Sequence, residues 1–196
     1  MKTLTAIALG LVAVITGFVL FAASPARETV LPAYRGETLA CSVVAIAPGL
    51  GVTARHCLMG GPLVVGDAPV GVVAVGESDI AIIVGEGIAC PCASVSRSLP
   101  EVQAAVIVVG FPMGLGVRVE THGHLQGLRD IVSIGRRIVT TAPAAPGNSG
   151  GGVFAVVDGR EVLIGIVTEG AAHISLAVPA DEVAALLDAY HGTNRH

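Results

Sequence analysis

A histidine, an aspartate and a serine stand in that order at the edges of three short segments of this 196-residue chain. They are His56 in Thr53-Ala54-Arg55-His56-Cys57, Asp79 in Ser78-Asp79-Ile80-Ala81-Ile82-Ile83, and Ser149 in Pro146-Gly147-Asn148-Ser149-Gly150-Gly151. A serine hydroxyl is a poor nucleophile at neutral pH unless a base takes its proton, and imidazole is the usual base. The imidazole needs a carboxylate to fix its tautomer and to stabilise the imidazolium. Asp67, Asp79 and Asp130 are the aspartates between His56 and Ser149. Asp67 falls in a polar turn before Pro69, where aspartate is favoured for local reasons. Asp130 follows Arg129 in an expected loop. Asp79 opens an apolar run, where a half-buried carboxylate needs a partner. The glycines around Ser149 permit positive φ and close backbone approach, as a tight nucleophile loop requires.

The same five residues, Gly147 to Gly151, satisfy the G-x-S-x-G pattern of a strand-turn-helix nucleophile elbow. That arrangement orders its triad serine, acid, histidine. Only His173, His191 and His196 follow Ser149, and the segment 153–157 reads as a strand rather than a helix. The elbow reading therefore fails on order and on local structure.

These three residues must be positioned by short β elements. Valine- and isoleucine-rich runs at 39–47, 70–75, 80–84, 104–109, 117–125, 137–141, 153–157, 162–167 and 174–178 are separated by turn residues, with 26 glycines in the chain. Asp158-Gly159 between two valine-rich runs signals a hairpin. One segment has helical period: Val183, Leu186, Leu187 and Tyr190 recur at i, i+3, i+4 and i+7, and Gly192 is placed to end it. Many short strands and one terminal helix predict an all-β sandwich or barrel. The strands divide at 89–100, which puts His56 and Asp79 before the division and Ser149 after it.

Residues 1–25 read differently. From Thr3 to Ala23 there is no charge, and at about 1.5 Å per residue a helix of that length reaches about 30 Å, one bilayer core. The segment is expected to be a signal-anchor or a signal peptide, with the membrane as a partner in the first case. Residues 26–38, with Pro32, are expected to be a linker, and 39–196 the catalytic domain. A net charge of −4 and scattered arginines argue against nucleic acid as a partner.

The three segments resemble the signature blocks of the trypsin-like (chymotrypsin-fold) serine peptidases, and from Asp79 onward the chain is most similar to the HtrA/Deg branch. Val108-Val109-Gly110-Phe111-Pro112-Met113-Gly114 resembles that branch's glycine-phenylalanine loop. Thr140 to Gly151 resembles its nucleophile block, Gly165-Ile166-Val167-Thr168-Glu169-Gly170 its substrate-backbone strand, and Leu176-Ala177-Val178-Pro179 its lead into the final helix. The resemblance covers roughly 39–190. No PDZ-like segment follows, so regulation through one is not expected. The residue before the nucleophile is Asn148, not aspartate, so activation through an ion pair with a newly cut amino terminus is not expected either.

The resemblance implies two six-stranded-type antiparallel β-barrels with a C-terminal helix, preceded here by an N-terminal hydrophobic helix. It implies His56 as general base and acid, Asp79 as its orienting partner and Ser149 as nucleophile. The amides of Gly147 and Ser149 would form an oxyanion hole. Pro143, Ala144, Thr168, Glu169, Gly170 and His173 would line or rim the substrate pocket. Pro143 stands where trypsin carries a selecting aspartate, so selection of arginine or lysine is not expected. Alanines and Thr168 suggest a small pocket for a medium apolar side chain, and a histidine lining would favour an acidic one. Cys41 and Cys57 resemble the disulfide beside the catalytic histidine of secreted relatives, the alternative being two buried thiols. A disulfide there implies an oxidising compartment outside the cytoplasm. Cys90-Pro91-Cys92 leaves three readings: a zinc site completed by His122 and His124, a local disulfide, or free or intermolecular thiols. No cofactor and no metal are assigned. Protein or peptide substrates are the expected partners.

Overall fold

The computed structural model describes residues 26–193. Thirteen strands and one helix follow in order: β1 (Val30–Arg35), β2 (Thr38–Ala47), β3 (Leu50–Thr53), β4 (Val64–Val65), β5 (Ala68–Pro69), β6 (Gly71–Val75), β7 (Ala81–Val84), β8 (Ala105–Gly110), β9 (Val119–Ile131), β10 (Gly135–Thr140), β11 (Gly152–Val157), β12 (Arg160–Ala171), β13 (Ile174–Pro179) and α1 (Ala180–Thr193). Every run expected as a strand carries one. Asp158 and Gly159, both at positive φ, make the two-residue turn between β11 and β12.

Strands β8 to β13 close into a six-stranded antiparallel barrel in the order β10-β13-β12-β11-β8-β9. The first unit differs from the expected barrel. It is an open seven-stranded sheet, β5-β4-β1-β2-β3-β7-β6. Its edges β5 and β6 are neighbours in sequence yet do not pair. β5 has two residues, and its Pro69 has no N–H to donate.

A second difference lies in 26–38. The stretch read as a linker holds β1, which pairs with β2 along Val30–Arg35 and buries Val30 and Ala33. Pro32 argues against a strand interior. It is tolerated because β4 pairs β1 only at Ala33 and Tyr34, so the missing N–H falls where β1 has no second neighbour. Arg27, just before β1, donates to Glu161 and to Glu120 at 2.9 Å, clamping the entry of the chain onto the barrel. The expected membrane segment from Thr3 to Ala23 lies outside the described residues. Among the described residues no helix is long and apolar enough to cross a membrane.

The two units share one core. Val30, Val44, Val52 and Ile80 of the first pack with Val109, Phe111, Phe154, Leu163 and Ile166 of the barrel. Helix α1 inserts Val183 into the same cluster, with Leu186 and Leu187 packed against it. Gly192, expected to end α1, lies within its last turn. Thr193 Oγ1 donates to Ala189 O and Tyr190 O there, satisfying carbonyls that a helix end leaves open. Removing the Phe154 ring from this seam is expected to cost about 3–5 kcal/mol in Phe154→Ala, read as a fall in denaturation midpoint by circular dichroism.

Candidate active site

His56 sits in a single 3-10 turn, Arg55–Leu58, that follows β3. Asp79 precedes β7, the strand paired with β3. The two paired strands therefore deliver the two side chains to the same end of the sheet. Asp79 binds His56 twice. The His56 N–H donates to Oδ1 at 2.9 Å, and Nδ1 donates to Oδ2 at 2.6 Å. The Arg55 N–H adds a bond to the Asp79 carbonyl at 3.2 Å. Helix α1 braces the aspartate loop from behind, through a short bond from Ser78 Oγ to Glu182.

Bidentate bonding sets the electrostatics. The hydrogen bond to Asp79 raises the His56 pKa, burial lowers it by less, and the charges of Asp79 and Glu169 raise it further. Burial pushes the Asp79 carboxyl up, but its bonds to the His56 ring and backbone outweigh that, and its pKa is lowered. The Asp79 side chain is 17% exposed and the His56 side chain 40%, so the acid is shielded while the ring faces the cleft.

Ser149 comes from the loop between β10 and β11, across the seam. The first unit holds this loop directly. The Ser42 N–H donates to Ser149 O at 2.8 Å, and Ser42 Oγ donates to Gly147 O at 2.9 Å while accepting from the Phe111 N–H. Thr53 Oγ1 bonds Ser42 O in turn. From the barrel side, the Gly150 N–H donates to Val167 O and the Val167 N–H to Gly151 O. Pro146 O accepts from the Met113 N–H at 2.6 Å. In a trans peptide the N–H points opposite the carbonyl, so the Gly147 N–H faces away from Met113. Among the described residues the amides of Gly147 and Ser149 have no acceptor, whereas Asn148 N–H is bonded to Ala145 O. Free amides on either side of a satisfied one are donors of the kind an oxyanion hole uses.

Ser149 Oγ itself donates to Thr168 O at 3.4 Å, and no hydrogen bond joins it to His56 among the described residues. The disulfide Cys41–Cys57 lies beside both: Cys57 Sγ is 3.7 Å from the Ser149 main-chain carbonyl oxygen, and the sulfurs lie within 4.8 Å of the His56 ring nitrogen. This is also the one cluster of candidate metal ligands among the described residues, and its sulfurs are committed to each other.

The packing leaves no room at Gly150. Its φ is +83°, and an added Cβ would collide with Ser42 O and Thr53 Oγ1. Gly150→Ala is expected to cost more than about 3 kcal/mol, against about 1 kcal/mol for Gly36→Ala, where φ is positive but nothing is near. Urea denaturation of the two variants checks the difference.

Two cavities, both lined by Glu169, lie about the histidine and the serine. One of about 620 Å³ contains His56, Asp79, Ile134, Arg137 and Glu169. Arg137 is buried, donates to Glu169 at 3.3 Å and to Arg136 O, and so fixes that carboxylate beside the histidine. The other, of about 330 Å³, contains Ser149 with Ala145, Pro146, Val167, Glu169 and Gly170. Gly170 closes on Ala144: a Cβ on Gly170 would lie 2.6 Å from Ala144 Cβ. Pro143 and Ala144 line a separate apolar cavity behind this contact. Thr168 is buried and meets Ser149 through its carbonyl. His173 stands at the exposed tip of the β12–β13 hairpin and lines neither the His56 nor the Ser149 cavity. Ser42 and Arg137 enter the site without a sequence signal.

Cys90 and Cys92 are joined to each other, the local-disulfide reading of the three left open, which leaves no thiolate for the Cys₂His₂ one. His122 and His124 are exposed and line a cavity on the outer face of the barrel with Arg27 and Glu161.

Two antiparallel β units meeting at a seam, with a histidine-carboxylate pair from one and a serine loop from the other, define the chymotrypsin-type architecture. The chain belongs to the trypsin-like peptidase domain family, whose pattern matches residues 41–166. Among solved structures it resembles a mutant of Rv3671c from M. tuberculosis H37Rv in its inactive form, with 21% identity over 87% of this chain and 90% of that one and a TM-score of 0.66. The HtrA-type protease AlgW with tripeptide is 22% identical, over 84% of this chain and 60% of that one, at TM-score 0.72. A serine endoprotease from Yersinia pestis is 20% identical over 85% of this chain and 64% of that one, at TM-score 0.70. At these identities the likeness is one of fold. No curated protein matches the sequence.

Proposed function

We propose that the chain is a serine endopeptidase that cleaves peptide bonds through an acyl-enzyme. The observation that carries the reading is the two-point bond between His56 and Asp79 facing the Ser149 loop. Nδ1 is committed to the carboxylate, so Nε2 is the nitrogen left to accept a proton. The step requires the Ser149 side chain to turn from Thr168 O toward that nitrogen. Attack forms the Oγ–carbon bond, Nε2 takes the hydroxyl proton, and the carbonyl oxygen gains its charge facing the Gly147 and Ser149 amides. Collapse breaks the carbon–nitrogen bond, and His56 gives its proton to the leaving amine. Water, activated by the same nitrogen, then releases the acyl group.

The contact of Gly170 with Ala144 supports a short apolar side chain before the scissile bond. His173 lies outside the lining of the Ser149 cavity, which supports the apolar preference over an acidic one. A peptide-binding module without turnover is the rival, and the Ser149–Thr168 bond is what favours it. A serine-directed fluorophosphonate separates the two. The expected result is stoichiometric labelling at Ser149, mapped by mass spectrometry. An unlabelled protein that still binds peptides would decide for the module.

The domain acts outside the cytoplasm in this reading, exported by the run from Thr3 to Ala23, which either anchors it to the cytoplasmic membrane or is removed. The apolar length of that run and two disulfides support the placement. Fractionation with external protease is expected to find the catalytic domain on the outer side. Full-length protein in the soluble cytoplasmic fraction overturns it.

A further inference from the structure

The two disulfides differ in each property that governs exchange. Cys41 and Cys57 are 5% and 2% exposed, are 16 residues apart, and belong to the first unit's core. Cys90 and Cys92 flank the single residue Pro91 in the connector between the units. Cys90 and Pro91 are exposed and Cys92 is half-buried. A cross-link constrains the unfolded chain more when it closes a longer loop, so the native fold holds Cys90–Cys92 closed less strongly than Cys41–Cys57. Exposure gives an attacking thiolate access, and exposed disulfides are the more oxidising and labile class.

The backbone on both sides of the pair is pinned independently of the bond. The Gly49 N–H donates to Ile88 O at 2.8 Å, and the Ala93 N–H donates to Ala45 O at 2.8 Å. Ile88 and Ala93 are themselves buried. Opening the bond therefore frees only the short stretch between them, and the two sulfurs stay tethered within reach of each other.

From this contrast we infer that Cys90–Cys92 is a thiol–disulfide exchange site for low-molecular-weight thiols, separate from the peptidase centre. The incoming thiolate attacks Cys90 Sγ. A sulfur–sulfur bond forms to Cys90 as the Cys90–Cys92 bond breaks, and Cys92 leaves as a thiolate that takes a proton. A second thiol attacks the sulfur of the first, releasing Cys90 as a thiol and a small-molecule disulfide. Two electrons pass from the two thiols to the protein, and the reverse sequence returns them.

The test equilibrates full-length protein in glutathione buffers of graded redox ratio, traps thiols by alkylation and quantifies each cysteine peptide by mass spectrometry. Circular dichroism is recorded on the same samples. Cys90–Cys92 is expected to be half-reduced at a ratio at least a hundredfold more oxidising than Cys41–Cys57, about 60 mV for a two-electron couple, with the spectrum unchanged. The Cys92→Ser variant is expected to accumulate a glutathione adduct on Cys90. Reduction of both bonds together, opening of Cys90–Cys92 only with loss of the native spectrum, or recovery of both cysteines as thiols from oxidised protein each overturn the inference. None of these readouts depends on peptidase activity, so failure here leaves the catalytic reading standing.

Discussion

Ser149→Ala is expected to lower kcat by about a millionfold, and adding His56→Ala to it is expected to cost almost nothing more. Nucleophile and base act as one unit in this chemistry, so removing either alone removes nearly the whole contribution. The residue left behind has nothing to do: without Oγ, a basic Nε2 has no proton to take. What survives is the proposed oxyanion site, because Gly147 and Ser149 would contribute backbone amides that the alanine retains. A residual rate of about a thousandfold over uncatalysed hydrolysis is therefore expected in both variants. The fold should be untouched, since the Ser149 carbonyl, not its hydroxyl, carries the bond from Ser42. Single-turnover assays of the two single variants and the double variant on one peptide ester check this. Losses that multiply would show that Ser149 and His56 act separately and that the proposed triad is wrong.

The parts of this site that sequence reveals are those where one residue type has few competitors. Three aspartates lie between His56 and Ser149, and only Asp79 abuts a buried β run; the structure bonds it to the histidine twice. The Ser149 loop is legible because positive φ at Gly147 and Gly150 demands glycine, and the demand leaves a pattern. Asp158-Gly159 is legible for the same reason. What sequence hides are long-range contacts made by common residues. Ser42 sits in an ordinary β run, and nothing local says that its hydroxyl bridges Gly147 and Phe111 from the other unit. Arg137 reads as one of several arginines until the barrel sets β10 one strand, β13, away from β12, where it fixes Glu169 next to the histidine. His173 misleads in the opposite way. Its position along the chain suggests the pocket rim, but the tight β12–β13 turn carries it to a hairpin tip.

The fold shows the same division. Strand runs are visible because valine and isoleucine mark them, and the barrel follows from their number. Closure is a property of the edges, which composition does not report. β4 and β5 have two residues each, too short for any periodicity, yet they decide that the first sheet stays open. β1 is masked by Pro32, which is tolerated only because of where its neighbour β4 ends.

Asp79→Asn is expected to leave this geometry in place and still lower kcat by about ten-thousandfold. The asparagine carbonyl can keep the bond from the His56 N–H, now made to Oδ1 at 2.9 Å. Its amide nitrogen then faces Nδ1 and donates to it, which puts the ring proton on Nε2. That tautomer cannot accept from Ser149, and the barrier rises although no atom has moved. The pH profile gives an independent reading. The hydrogen bond to Asp79 is the largest influence raising the His56 pKa, so the wild-type kcat/KM should climb with pH through a midpoint above the ordinary imidazole value of about 6.5. With asparagine the midpoint should fall, although Glu169 remains to hold it up. Stability follows with a defined sign. A raised His56 pKa contributes stability that is full below about pH 6.5 and is lost as pH rises through the folded-state value; a lowered Asp79 pKa contributes stability above about pH 3.9 that is lost as pH falls through its folded-state value. The variant should therefore be destabilised most between those limits and less so in alkali. Urea denaturation across pH, beside a kcat/KM profile of both proteins, tests the assignment, and an unmoved midpoint with wild-type turnover would show that Asp79 is not the partner that orients the base.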